Sequence, residues 1–131
     1  MRYFILLFCC VAMVACSGYG EKVTYDGTDV HYTEEALKEK ADATGAYLQE
    51  IGFTDGSPKS VQITRDSIYH FRMVVQEGIE SDKSMEVSFK ALGMLLSEKV
   101  FEGETIHFDL CNATFDTIKT FPIEKSTRPN S

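Results

Sequence analysis

One segment of this 131-residue chain occurs twice, and the repetition constrains the fold more than any other feature of the sequence. The first copy runs from Gly45 to Phe53, and the second runs from Gly93 to Phe101, 48 residues later. Both follow the pattern Gly-x-x-Leu-x-Glu-x-x-Phe, and a further Gly comes shortly after each Phe. The repetition predicts two copies of one supersecondary unit within a single domain.

Apolar residues at spacings of three and four place each copy at the end of an amphipathic helix. The two apolar stripes are Leu37, Ala41, Thr44, Leu48 and Ile51, and Met85, Phe89, Leu92, Leu96 and Val100. Thr33 and Ser81 stand at the expected N-cap positions. Because Gly inside a helix costs about 1 kcal/mol relative to Ala, Gly45 and Gly93 predict a close approach of each helix to the sheet or to the other helix.

Alternating apolar and polar residues after each helix predict a β-hairpin with one buried face. The predicted strands are Val61–Ile63 with Tyr69–Val75, and Ile106–Leu110 with Phe115–Phe121. Pro122 is expected to end the last strand, at an edge of the sheet. Two short extended pieces around the favoured turn dipeptide Asp26-Gly27 precede the first helix and supply a leading strand.

These elements predict an α+β fold made of two α-β-β units, over residues 33–76 and 81–121, behind the leading strand. Two helices with one apolar stripe each need a common sheet face, so we expect both helices on one side of an antiparallel-rich sheet of four to five strands. A ferredoxin-like core with one extra antiparallel strand and right-handed crossovers meets this requirement. The layout is also similar to that of PepSY-type and β-lactamase-inhibitor-type exported domains, a likeness that implies no function.

The first 15 residues have the layout of a signal peptide. Arg2 is a short positive segment, and the apolar run from Tyr3 to Met13 is shorter than the about 20 residues that span a bilayer. Met13-Val14-Ala15-Cys16 then resembles the lipobox of bacterial lipoproteins, although that family prefers Leu where Met13 stands. The resemblance implies cleavage before Cys16 and attachment of acyl chains that anchor the protein in the membrane. An ordinary secretory signal with a Cys at its end by chance is the alternative.

The chain is therefore expected to comprise a signal peptide (1–15), a lipidated tether (16–22), one domain (23–122) and a flexible polar tail (123–131). Ser17 after the lipidated Cys predicts sorting to the outer membrane in an organism with two membranes. Cys9 and Cys10 leave with the signal peptide, so Cys111 is the only cysteine left unmodified. The mature domain is expected to have no internal disulfide.

Charge and motifs exclude several classes of function. The sequence has 13 Lys and Arg against 20 Asp and Glu, and loss of Arg2 leaves 12 against 20, a net charge of −8. This acid surplus argues against nucleic-acid binding and against a polybasic membrane patch. The sequence contains no Gly-rich phosphate loop, His-Glu-x-x-His, Gly-x-Ser-x-Gly or Cys-x-x-Cys motif. We therefore predict no catalytic residue, no cofactor and no enzymatic activity, and we interpret Cys111 as an inert strand thiol, not as a nucleophile.

Four segments resemble a small bacterial module of uncharacterised function with paired α-β-β units. They are Ser60–Thr64, Phe71–Val75, Val100–Gly103 and Ile106–Asn112. The resemblance covers Val30–Phe121, most of the mature chain. It implies no catalytic residue, and it adds no site to those found from the residues themselves.

Strand alternation places a group of polar and ligand-type side chains on the sheet face away from the helices. The members are His31, His70, His107, Arg72, Asp109 and Cys111. If the strand pairing is ferredoxin-like, the strands of the three histidines are neighbours about 4.8 Å apart, and the imidazoles could converge on a metal with an Asp or Cys ligand. The simpler interpretation, which we favour, is that the solvent face of such a sheet is polar without any ligand, and a one-residue slip in register would move a residue to the other face.

The leading functional hypothesis is a non-catalytic envelope domain that presents its open sheet face, with Arg72, Asp109 and Cys111, or an edge strand to a protein partner or to a second copy. An inhibitor or immunity-type lipoprotein would use the same surface against a basic secreted enzyme. A small-ligand or metal-binding envelope lipoprotein would use the histidine face. An enzyme is the last alternative, because the sequence offers no pair of nucleophile and base.

Overall fold

The computed structural model describes residues 19–125. Strands β1 and β2 come first, and a 3₁₀ turn leads into helix α1. A hairpin of β3 and β4, a second 3₁₀ turn, helix α2 and a hairpin of β5 and β6 follow. The bounds are β1 Glu21–Tyr25, β2 Thr28–Tyr32, 3₁₀ Glu35–Leu37, α1 Lys38–Glu50, β3 Lys59–Arg65, β4 Tyr69–Val74, 3₁₀ Ile79–Ser81, α2 Lys83–Lys99, β5 Ile106–Cys111 and β6 Thr117–Ile123.

The six strands form one sheet in which the spatial order is the chain order, β1 to β6. β1–β2, β3–β4 and β5–β6 are antiparallel hairpins, whereas β2–β3 and β4–β5 are parallel neighbours. Parallel neighbours cannot be joined by a tight turn and need a long crossover connection. In each parallel pair here, a helix forms that connection. The domain is therefore three hairpins connected by two helices.

The predicted α+β class and the two α-β-β units are confirmed, but the sheet has six strands rather than four to five. The difference arises in the leading segment, which forms a complete hairpin. Asp26 (φ 48°) and Gly27 (φ 89°) both adopt positive φ, the backbone that a two-residue hairpin turn requires. The expected ferredoxin-like strand order was wrong, because each crossover helix connects strands that lie directly side by side.

Several element ends differ from the predicted ones. The 3₁₀ turn after β2 and the one before α2 delay both helices, and Asp82 rather than Ser81 caps α2, its carboxylate accepting the Ser84 backbone N–H at 3.0 Å. Lys22, assigned to the tether, lies in β1. β6 continues through Pro122 to Ile123, because a proline is tolerated at the edge of a sheet. The domain therefore extends slightly beyond the predicted range at both ends.

The hydrophobic core lies between the helices and one face of the sheet. Leu48 and Leu96, the equivalent leucines of the two repeated segments, are both fully buried. They join one cluster with the inward residues of the central strands, among them Val61, Phe71 and Phe108. Both helices therefore cover the same sheet face, as their single apolar stripes predict.

The two helix glycines allow the helices to approach the outer hairpins. A Cβ at Gly45 would overlap the ring of Tyr25, and a Cβ at Gly93 would lie 2.7 Å from Cδ1 of Ile123. Tyr25 lies on β1 and Ile123 on β6, at opposite edges of the sheet. The repeated glycine therefore has the same role in both units: it leaves room for a side chain of the edge strand.

We expect Gly45→Ala to destabilise the domain by about 1–3 kcal/mol, the usual cost of overpacking. The clash with the Tyr25 ring outweighs the gain of about 1 kcal/mol in helix propensity. Urea denaturation of the variant and of the wild type measures the difference. In a Tyr25→Ala background the ring is absent, so the same Gly45→Ala change should cost little. Equal stability of Gly45→Ala and the wild type would contradict this account.

Candidate functional site

The sheet face opposite the helices carries a continuous row of polar residues, one from each strand. Each member is the cross-strand partner of the next. The row is Lys22, His31, Gln62, Arg72, Asp109 and Thr120. This arrangement follows from the register of five strand pairings, and it places Arg72 and Asp109 side by side near the middle of the sheet.

Arg72 donates hydrogen bonds to both of its neighbours in this row and to two residues after β5. Its Nε donates to Gln62 at 3.0 Å, and its Nη1 donates to Asp109 at 3.0 Å and to Thr117 at 2.8 Å. Nη2 donates to the backbone carbonyl of Phe115, in the loop between β5 and β6. The guanidinium therefore ties that loop onto the sheet face, and its donors are used within the domain.

Asp109 is a nearly buried carboxylate, with its side chain 3% exposed. Besides Arg72, it accepts from the Thr120 hydroxyl at 2.8 Å and contacts His70 Nδ1 at 2.9 Å. A buried carboxylate is stable only when charges and hydrogen bonds compensate it. Here an arginine, a histidine and a threonine provide that compensation.

His70 lies between two carboxylates. Its Nδ1 contacts Asp109 Oδ2, and its Nε2 lies 3.1 Å from Asp66 Oδ2 in the turn between β3 and β4. The parallel pairing of β4 and β5 places His107 directly beside it, with ring centroids 5.0 Å apart and planes almost perpendicular. The structure therefore brings two of the three candidate histidines together with Asp109.

The sequence analysis did not single out Asp66. The Ile68 backbone N–H is the main group that holds the pKa of the Asp66 carboxyl below its ordinary value, and His70 adds to the effect. The only signal in the sequence was its place in a hairpin turn, four residues before His70. That spacing alone does not show that the side chain of a turn residue contacts the side chain of a strand residue.

His31 is separate from the other two histidines, because β3 lies between β2 and β4. Its ring makes edge contacts with Tyr19 and Phe115, at centroid distances of 5.9 and 5.6 Å. The expected adjacency of all three histidine strands was therefore wrong. Burial lowers the pKa of His31, although Asp29 opposes the shift.

We expect the half-buried His31 to make the domain less stable as the pH falls below about 6.5, the ordinary histidine pKa. Its folded-state pKa is lowered, so the unfolded chain takes up the proton first and stability declines on acidification through that window. Urea denaturation between pH 7.5 and 5, with chelator present, should show a shallower decline for His31→Phe than for the wild type. Parallel declines would contradict the prediction.

Cys111 lies on the same face but has no exposed surface. Burial raises the pKa of its thiol, and its Sγ lies 3.8 Å from the Asp109 backbone oxygen. A raised pKa leaves less of the reactive thiolate. The structure thus supports a sheltered thiol rather than a nucleophile or a partner for an intermolecular disulfide.

Helix α2 has a second apolar stripe that the sequence analysis overlooked. Val87, Met94 and Leu95 are 71%, 59% and 42% exposed, and Ala91 is exposed between them. We call Val87, Ala91, Met94 and Leu95 the outer stripe. Ala91, Met94 and Leu95 follow Val87 by four, seven and eight residues, a helical spacing that is visible in the sequence. It was overlooked because the core stripe of the same helix is more strongly apolar.

Comparisons with known proteins give a family for the domain. A family model described as the AF_1994_N family N-terminal domain matches residues 22–121, a range that runs from β1 into β6. Neither the curated proteins nor the solved structures contain a match. Within residues 19–125, no helix has both the length and the apolar character needed to span a membrane. The matched range covers most of the chain. The chain therefore belongs to the AF_1994_N family, through that family's N-terminal domain.

Proposed function

We propose that this protein is a non-catalytic envelope lipoprotein whose domain binds a protein partner through the outer stripe of α2. The observation that carries the proposal is the exposure of Val87, Met94 and Leu95 on one helix face. Apolar residues grouped on a surface mark an interaction site more often than scattered ones do. The inward side of the same helix already supplies the core through Phe89 and Leu96, whereas Val87 and Met94 keep more than half of their surface exposed.

The open sheet face is less suited to this function than the helix face. Arg72 and Asp109 are hydrogen-bonded to each other and to neighbouring residues. Phe115, buried to 7% exposure, covers part of that face from the loop between β5 and β6. A partner docking there would have to replace bonds that already exist, whereas docking on α2 would only remove apolar surface from water.

The charge of the chain indicates the chemistry of the partner. With a formal net charge of −7 before any cleavage, two copies repel each other at long range. We therefore propose a different protein that has an apolar groove for the outer stripe and a positive net charge. Electrostatic attraction of this kind speeds association and weakens as salt is added.

The proposal also includes the cellular location of the protein. Cys16 and the signal peptide lie outside the described residues, so the lipidation rests on the lipobox resemblance. If Cys16 carries the lipid, only residues 17–20 separate it from β1. At about 3.3–3.6 Å per residue, the start of β1 would stay within about 20 Å of the bilayer surface, and we propose that this membrane is the outer membrane.

The Cys16→Ser variant tests the lipid anchor separately from partner binding. We expect the wild type to incorporate labelled palmitate and to fractionate with membranes, and the variant to do neither. A wild type that is exported without acyl chains would refute the lipid anchor and leave the binding proposal intact.

Site-specific photo-crosslinking in the producing cell tests the binding surface. A photoreactive amino acid at Met94 should give one adduct with a different protein, and the yield should fall when Val87→Ser is added or the salt is raised. The same amino acid at Glu124, exposed just beyond β6, is the matched control and should give no such adduct. Identical adducts at both positions, an adduct of the chain with itself, or none at Met94 would overturn the proposal.

A further inference from the structure

We propose that His70, His107 and Asp109 bind one divalent transition-metal ion, and that Asp66 orients His70 for this purpose. The proposal concerns the open sheet face and is independent of the partner surface on α2. It assigns a binding site, and it requires no catalytic activity.

The three side chains already lie at near-ligand separations. One ligand atom from each of the three residues lies within 4.8 Å of the other two. His70 Nδ1 and Asp109 Oδ2 are 2.9 Å apart, close to the separation of adjacent ligands around an ion with bonds of about 2.0–2.2 Å. A small rotation of the His107 ring about its side-chain bonds would complete the set.

The surroundings of His70 match those of a metal-bound imidazole. Such a ring usually donates its second N–H to a carboxylate, which fixes its tautomer and orientation. Asp66 Oδ2, 3.1 Å from His70 Nε2, is placed to accept that N–H. The ion would then replace the proton between His70 Nδ1 and Asp109, and Asp66 would keep the ring in position.

Asp109 is held rigidly enough to act as a ligand. Thr120 binds its Oδ1 and Arg72 binds its Oδ2, so the carboxylate cannot turn away. Arg72 is also the nearest positive charge, and it reduces the affinity that two imidazoles and a carboxylate would otherwise have. The two carboxylates of Asp66 and Asp109 offset that charge and leave the cluster able to accept a dication.

His107 is the ligand that an ion arriving from solvent can reach. Its side chain is only partly buried, and within residues 19–125 no side-chain hydrogen bond occupies its ring. Its edge-on arrangement with His70 leaves a ring nitrogen available without breaking the network around Arg72.

The ligand set selects the class of metal. Two imidazoles with one carboxylate suit Zn²⁺ and its first-row neighbours, whereas Mg²⁺ and Ca²⁺ require mainly oxygen ligands. Three protein ligands also leave room for water on the ion.

Titration calorimetry with Zn²⁺ alone tests the site, on the protein purified as the producing cell processes it, because the thiols of Cys9, Cys10 and Cys16 in an unprocessed chain would bind Zn²⁺ themselves. We expect one ion per chain, and no heat of binding with Mg²⁺. His107→Gln should weaken Zn²⁺ binding at least tenfold, and Asp66→Asn should weaken it by about 10- to 100-fold, as loss of an orienting carboxylate does. His31→Gln is the matched control: it removes a histidine from the same face, two strands away, and should bind Zn²⁺ as the wild type does.

Co²⁺ provides a second measurement that separates ligation from folding. Co²⁺ bound by few ligands has visible d–d bands much more intense than those of aqueous Co²⁺, and His107→Gln should lose these intense bands while its urea denaturation stays as in the wild type. The site is refuted if Zn²⁺ produces no binding heat and Co²⁺ no intense bands with the wild type. It is equally refuted if His31→Gln weakens binding as much as His107→Gln.

Discussion

Arg72→Ala is expected to destabilise the domain by about 3–5 kcal/mol, the range found when one partner of a buried ion pair is removed. The truncation leaves the Asp109 carboxylate, 3% exposed, without its arginine partner. It also releases the loop between β5 and β6 and the first residue of β6, which Arg72 holds through the Phe115 carbonyl and the Thr117 hydroxyl. Urea denaturation monitored by far-UV circular dichroism measures the loss.

Two further variants separate the buried charge from the loss of a large side chain. Arg65 is exposed, and its guanidinium carbon lies 4.5 Å from the centroid of the Tyr69 ring. Arg65→Ala should lower the free energy of unfolding by at most about 1 kcal/mol. Adding Asp109→Asn to Arg72→Ala should recover part of the stability, because the remaining side chain is then neutral. Equal costs for Arg72→Ala and Arg65→Ala would show that Arg72 is only a surface residue.

Leu48→Ala and Leu96→Ala are each expected to cost about 2–5 kcal/mol, the range for deleting a leucine side chain from a core. Both side chains are fully buried, and they occupy the same position in the two repeated units. Similar losses in both would show that each helix contributes comparably to the core. Thermal or urea denaturation of the two variants gives the comparison.

Leu95 is the matched control, because it directly precedes Leu96 and is 42% exposed. Leu95→Ala should change stability by no more than about 0.5 kcal/mol, while reducing the crosslinking proposed for the outer stripe. If Leu95→Ala were as destabilising as Leu96→Ala, the inward and outward faces of α2 would have been assigned incorrectly.

Local patterns were sufficient for most elements but not for their arrangement. The alternation around Ile63 and Phe71 and the helical spacing of Leu48 depend on neighbours in the chain, and these elements were predicted. The position of β3 between β2 and β4 depends on which edges meet in space, and no local pattern encodes that choice. The separation of His31 from His70 follows directly from it.

The candidate site was partly predictable for the same reason. Alternation along single strands placed His70, His107 and Asp109 on one face. The pairing of His70 with His107 needed the parallel register of β4 and β5, and the contact of His70 with Asp66 needed the conformation of a turn. Both are set by tertiary packing, so the sequence could suggest the members of the cluster but not its geometry.

The chain-order sheet has a consequence for how the domain reaches its native state. Every pairing joins strands that are consecutive in the chain, so the three hairpins close over short turns, and only the two helix crossovers, residues 33–58 and 75–105, require longer segments to close. A polypeptide that is synthesised from its N-terminus can add one hairpin at a time. Each completed hairpin then offers a free strand edge as the template for the next.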